Sequence, residues 1–176
     1  MKKSIINSFS KIKVTIIVTL MSLFITSLNA QQISSDDLLV INGNWEGKLI
    51  YVDYGDDKTQ YALNTKLEAN WGNGKGKLKF EFKEPNGKLV YSTEKIKLIS
   101  TEEFMFDGKW EIISFENAES SWKLILETNG KDNNKESTLR EEISYQESSL
   151  TINKMVKYDG MDSFFLRNSY SLNKVN

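Results

Sequence analysis

Residues 31–176 predict an all-β fold: an antiparallel up-and-down β-barrel of about eight to ten strands, with a two-sheet β-sandwich as the alternative. Three observations carry this. Apolar and polar residues alternate with a period of two almost throughout. Short runs of turn chemistry interrupt the alternation at close, regular spacing. No stretch in this part of the chain repeats with the 3.6-residue period of an amphipathic helix. Barrel and sandwich both read as alternating short strands, so alternation alone does not separate them.

The first 30 of the 176 residues differ in kind. Lys2, Lys3, Lys11 and Lys13 form a basic start, Val14 to Ile25 an apolar core, and Thr26-Ser27-Leu28-Asn29-Ala30 ends on a small residue. This is the pattern of a signal peptide cleaved after Ala30. The apolar core is shorter than the roughly 20 residues that span a bilayer. No lipobox Cys follows it. The expectation is an exported protein, periplasmic or secreted, that meets the membrane only through the cleaved leader, with residues 31–176 as one barrel domain.

A polar lead, QQISSDDLLV, precedes the first strand. Candidate strands follow at 44–54, 59–69, 76–83, 88–99, 103–106, 109–116, 121–128, 138–146, 149–158 and 163–172. Gly55-Asp56-Asp57, Gly72-Asn73-Gly74, Glu84-Pro85-Asn86-Gly87, Asp107-Gly108, Asn129-Gly130 and Asp159-Gly160 supply turns between them. Residues 129–137, NGKDNNKES, read as a longer mobile loop. Trp71, in the turn-rich NWGNGKG, reads as a rim residue touching a ligand or partner.

The last three strands form two hairpins whose registers follow the apolar pattern. In the first, Tyr145 pairs with Leu150, Ile143 with Ile152 and Leu139 with Val156. In the second, Tyr158 meets Phe164, Val156 meets Leu166, Ile152 meets Tyr170 and Leu150 meets Leu172. All lie on one face, which is therefore the interior. The same register sets Glu141 opposite Lys154 and Lys154 opposite Asn168, a polar row across three strands of an apolar face. Such a row serves either as a cross-strand ion pair that supports register or as the contact for the polar head of a ligand.

The first strand opens on Gly43-Asn44-Trp45, with Gly47 on the same face as Trp45, Leu49 and Tyr51. Glycines there permit a close approach that side chains would block, leaving the indole to fill the space beneath the sheet. This resembles the calycin superfamily, and in particular lipocalin-like barrels, whose first strand begins with Gly-x-Trp. The family's last-strand Arg, which lies across that Trp, corresponds in position to Arg167. The resemblance implies a barrel closed at the Trp45 end by Gly43, Trp45 and Arg167, open at the other, with an apolar lumen. The lipocalin disulfide and C-terminal helix have no counterpart here. Ten strands also suit a ten-stranded relative of the lipocalins, whose haem-binding members use an axial His that this chain lacks.

Absences narrow the chemistry. The chain has no His and no Cys. That removes Ser-His-Asp and Cys-His catalysis, His-ligated haem and ordinary zinc sites. Four of the 23 basic residues fall in the leader, leaving 19 against 24 acidic ones, a balance with no footprint for nucleic acid or anionic membranes. Asp53, Asp56 and Asp57 lack the alternating ligands and terminal Glu of a calcium loop and read as a solvated turn. Adjacent Glu102-Glu103 and Glu141-Glu142 point to opposite faces of their strands, so neither pair is an acid–base dyad. No metal and no cofactor is expected.

The leading expectation is a non-enzymatic barrel that binds a small hydrophobic or amphipathic molecule in its lumen. Trp45, Tyr51, Ile143, Tyr145, Ile152, Tyr158 and Tyr170 would form wall and floor; Glu141, Lys154 and Asn168 would make the polar contacts. The alternative is an envelope protein-interaction module, an inhibitor or assembly factor, working through Ile113, Phe115, Ile125, Met155 and Phe165 on the opposite faces. A carboxylate-based hydrolase or isomerase ranks last. It requires convergent Asp or Glu in a cleft.

Overall fold

In a computed structural model, which describes residues 32–175, ten antiparallel strands close into a barrel. They are β1 (Gly43–Val52), β2 (Gln60–Gly72), β3 (Lys75–Lys83), β4 (Leu89–Leu98), β5 (Glu103–Phe106), β6 (Lys109–Ala118), β7 (Ser121–Asp132), β8 (Lys135–Gln146), β9 (Ser149–Tyr158) and β10 (Phe165–Val175). Each pairs with its chain neighbours, and β1 pairs with β10 to seal the ring. Barrel, not sandwich, is the architecture. Full closure leaves no unpaired edge. The leader reading for residues 1–30 lies outside the described residues.

One end is shut. The lead read as merely polar contains a 3-10 helix, Asp36–Ile41, whose Leu38 and Ile41 are buried. It is strapped across the barrel by named bonds. Asn42 Nδ2 donates to the Trp71 carbonyl at 2.9 Å, and the Trp71 backbone N–H donates back to Asn42 Oδ1. Trp71 Nε1 donates to the Ser35 carbonyl at 2.8 Å, Gly74 N to Ser35 Oγ at 2.9 Å, and Asn117 Nδ2 to Asp37 Oδ1 at 2.7 Å. Trp71 is therefore no rim residue: it is buried and stacks on Phe104.

Trp45 is fully buried at the same end, its Nε1 donating to the Ile41 carbonyl at 2.8 Å. Gly43 takes φ +124°, open to glycine but strained for other residues. Gly47 is needed for a different reason. A Cβ there would stand 2.0 Å from the Ser171 carbonyl oxygen of β10. Lys174, not Arg167, places its cation over the Trp45 ring, at 5.3 Å. Arg167 lies at the opposite end of β10, so it is not a counterpart of the lipocalin Arg across the Trp.

The hairpin registers agree with the apolar pattern up to a point. Tyr145–Leu150, Ile143–Ile152, Leu139–Val156, Ile152–Tyr170 and Leu150–Leu172 are partners, as are Glu141–Lys154 and Lys154–Asn168. Beyond Asn168 the register shifts. A bulge between Leu166 and Asn168 pairs Val156 with Phe165 and Met155 with Leu166, so Val156 does not meet Leu166, nor Tyr158 Phe164. The extra residue is Arg167, turned inward and buried. A second bulge, between Ile112 and Ser114, turns Phe115 into the core and leaves Ile113 exposed.

Residues 129–137 are not a loop. β7 and β8 run through them to a two-residue turn, Asn133-Asn134, with φ of 50° and 60°. These values suit the type I′ hairpin turn, whose twist matches that of the strands. The stretch looks polar because Asp132 and Ser137 are buried polar residues.

Candidate functional site

The barrel interior is layered. Nearest the shut end is an apolar chamber of about 30 Å³, lined by Leu38, Ile41, Ile96, Leu124, Ile143 and Ile152 among others. That volume holds at most one water, and its apolar wall gives a water no partners. It is far below the few hundred Å³ of an ordinary ligand pocket. Trp45 and Tyr145 belong to this packed end. The Tyr145 ring meets Trp45 edge-on and stacks on Trp122, and its hydroxyl donates to the Glu147 carbonyl. Neither faces an open lumen.

One inward step toward the open end from Ile143, Ile152 and Ile96 stand Glu141 on β8, Lys154 on β9 and Glu94 on β4. Asn168 of β10, opposite Lys154, continues this layer, and Tyr170, opposite Ile152, stands one inward step below it. Glu94, Lys154, Asn168 and Tyr170 are only partly buried, whereas Glu141 is 6% exposed. An aromatic cluster adjoins the layer through Tyr170, whose ring lies 5.0 Å from that of Phe80 and 6.3 Å from that of Phe82. Ser92 Oγ donates to Glu94 Oε1 at 2.9 Å.

The expected Glu141–Lys154 ion pair does not form. The two are backbone partners, but the Lys154 ammonium swings to Asp132 Oδ1, 3.6 Å away. Burial pushes the Glu141 carboxyl up to about 8, with the Lys154 charge acting against it. The Tyr170 hydroxyl is pushed up to about 12 by burial first, then by the charges of Glu141 and Glu94. Carboxyls from β4 and β8 are therefore felt at one phenol on β10. The three groups converge inside the barrel from three sides.

Above this layer, the mouth is tied by Arg167. Its guanidinium reaches Asp132 Oδ2 at 2.7 Å and Asp57 Oδ1 at 2.9 Å, and donates to the Tyr158 hydroxyl at 2.6 Å. Tyr158 and Tyr54 donate to the two oxygens of Asp132, at 3.0 and 3.3 Å. The guanidinium also lies over the Tyr54 ring at 4.6 Å and the Phe165 ring at 5.0 Å. Tyr158 is thus a member of a polar knot rather than lumen wall. Its hydroxyl and that of Tyr54 are pushed up, chiefly by burial. Arg167 holds the Asp57 carboxyl below the usual range.

The knot folds the β1–β2 loop over one side of the mouth. In that loop Asp53 accepts from Gly55 N, and Asp56 from Lys58 N and Thr59 N, as in Asx turns. Tyr51 stands nearby with its ring 5.5 Å from Tyr61, which is 40% exposed. With Tyr54, which is 45% exposed, these rings form accessible aromatic surface at the mouth.

On the outer wall, the apolar residues proposed as a partner surface do not gather. Phe115 is buried, and Phe165 packs on Tyr158 at 5.4 Å. The remaining Ile113, Ile125 and Met155 share their sheet face with the Arg140–Glu127 and Lys123–Glu142 ion pairs. Register shows why: Ile125 is opposite Glu142, and Met155 opposite Arg140.

No family model matches the chain, and no curated protein matches it. Among solved structures, the chain is similar to the crystal structure of Rv2717c from M. tuberculosis, with a TM-score of 0.61 and 11% identity. The match covers 83% of this chain and 100% of that one. At this identity the likeness carries the barrel fold alone.

Proposed function

We propose that the protein is an exported, non-enzymatic barrel that binds a small amphipathic molecule through its open end. The observation that supports this most is the polar layer in mid-lumen. Glu94, Lys154, Asn168 and Tyr170 point into a barrel yet keep part of their surface accessible, while the layer beneath them is tightly packed. A barrel built only for stability gains little from charged groups at that depth, because each must be hydrogen-bonded or hydrated. Tyr51 and Tyr61 at the mouth, with Phe82 and Tyr170 below, supply the apolar contact. Glu141, Asn168 and Lys154 supply the polar one. Export rests on the leader sequence.

Native mass spectrometry of protein purified from its own host tests both parts. The expected spectrum shows a chain beginning at Gln31 and carrying a small organic mass that is lost on denaturation. A chain that retains residues 1–30 sinks export. Bare protein, or protein carrying only a second polypeptide, sinks the lumen reading.

A further inference from the structure

The lumen's ionisable side chains are unevenly placed: the cationic heads gather at the mouth, and two carboxyls are left below them. At the mouth, the guanidinium of Arg167 and the ammoniums of Lys135 and Lys154, the last reaching up from its own layer, face Asp132 and Asp57, three cations against two anions, all within 3.6 Å of a partner. One layer deeper, Glu94 and Glu141 have no cation within salt-bridge distance among the described residues, since Lys154 has turned away to Asp132. Glu141 is the stronger observation. It is nine-tenths buried, faces the lumen between Leu139 and Ile143, and accepts no hydrogen bond from Tyr170, Asn168 or Lys154. Tyr170, whose hydroxyl feels both carboxyls, packs its ring on those of Phe80 and Phe82.

Two carboxyls beside aromatic faces match an organic ammonium better than any other head group. The carboxyls supply charge, and the ring faces attract a poorly hydrated cation. An anionic head would meet uncompensated carboxyls, and a bare metal ion would leave the rings without a role. We propose that the ligand accepted by this lumen carries a protonated or quaternary amine, seated between Glu94 and Glu141 against Tyr170, with its apolar body toward Tyr51 and Tyr61. This rests on the lumen-binding reading above and names the chemical class of its ligand. Glu141, kept protonated by burial, gives up its proton to solvent when the cation arrives. The groups facing it are Lys154 from β9, Tyr170 and Asn168 from β10, and Glu94 across the lumen on β4.

Calorimetric titration of the full exported chain at pH 7 with octylammonium, octyl sulfate and octyl glucoside, all below micelle formation, tests this. The tails are matched and only the head charge changes. Octylammonium is expected to bind at least tenfold more tightly than either rival. Repeating the titration in buffers of different ionisation enthalpy should show close to one proton released per ammonium bound. Glu94→Gln should weaken octylammonium tenfold or more and leave octyl glucoside unaffected, and Glu141→Gln should abolish the proton release. Both variants keep side-chain size, and a retained thermal transition checks that they fold. Equal or tighter binding of octyl sulfate overturns the ammonium assignment and leaves the lumen reading standing. Failure of all three probes removes both.

Discussion

Glu141 shows how a single side chain links register, stability and pH. Its place on β8 puts it inside, and the departure of Lys154 toward Asp132 leaves it buried without a close counter-charge. Burial therefore favours the protonated form, raising its pKa from 4.5 to about 8. The native state then holds a proton that the unfolded chain releases near pH 4.5. Stability from this group is complete below pH 4.5 and is lost as pH rises through about 8. The full loss is roughly 3–5 kcal/mol at ~1.4 kcal/mol per tenfold change. Urea midpoints measured from pH 5 to 9 should fall across this range, and Glu141→Gln should flatten the fall. A wild-type curve that rises or stays level would show that Glu141 is solvated. The row of Glu141, Lys154 and Asn168 was legible because two hairpins with clear apolar pairs fix the register on both sides. Glu94 was not. In STEKIKL it looks like one more surface charge among lysines, and only the burial of Ile96 two residues on reveals its face.

Elements were legible wherever alternation ran unbroken into a turn with Gly, Asn or Asp. All ten strands sit within a few residues of the alternating runs. What escaped was any change of parity inside a strand. The bulges at Ile112/Ser114 and Leu166/Asn168 carry no glycine or proline, so alternation alone sets Phe115 outward and gives no sign that Arg167 turns inward, while the end assigned to Arg167 comes from the resemblance and not from the strand pattern. The Leu166/Asn168 bulge has a physical purpose: it aims Arg167 at Asp132, both side chains being 1% exposed. Removing one member of such a pair strands the other. Arg167→Leu should cost roughly 3–5 kcal/mol, because buried Asp132 loses its 2.7 Å partner and keeps only Lys154, at 3.6 Å, as a cation nearby. In the double variant Arg167→Leu with Asp132→Leu, the loss should be no larger than for Arg167→Leu alone. Additive losses in a denaturant-based double-mutant cycle would mean that the two side chains act independently.

For the whole molecule, closure depends on one contact that no local rule describes. The β1–β10 seam joins the first strand to the last, so every other pairing is between chain neighbours and only this one spans the sequence. Such a long-range pairing forms late and at high entropic cost. It is also a tight place: Gly47 faces Leu172 across the seam, and a Cβ on it would lie 2.0 Å from Ser171 O and 2.9 Å from Leu172 Cα. Both obstacles are backbone, which no rotamer change relieves. Gly47→Ala should therefore cost roughly 3 kcal/mol or more, and amide exchange should accelerate first along β1 and β10. Gly72→Ala is the matched control, since nothing lies within 4 Å of a Cβ there. If the two variants unfold at the same urea concentration, the seam is looser than its geometry implies. The ring would then open there without the rest of the sheet giving way.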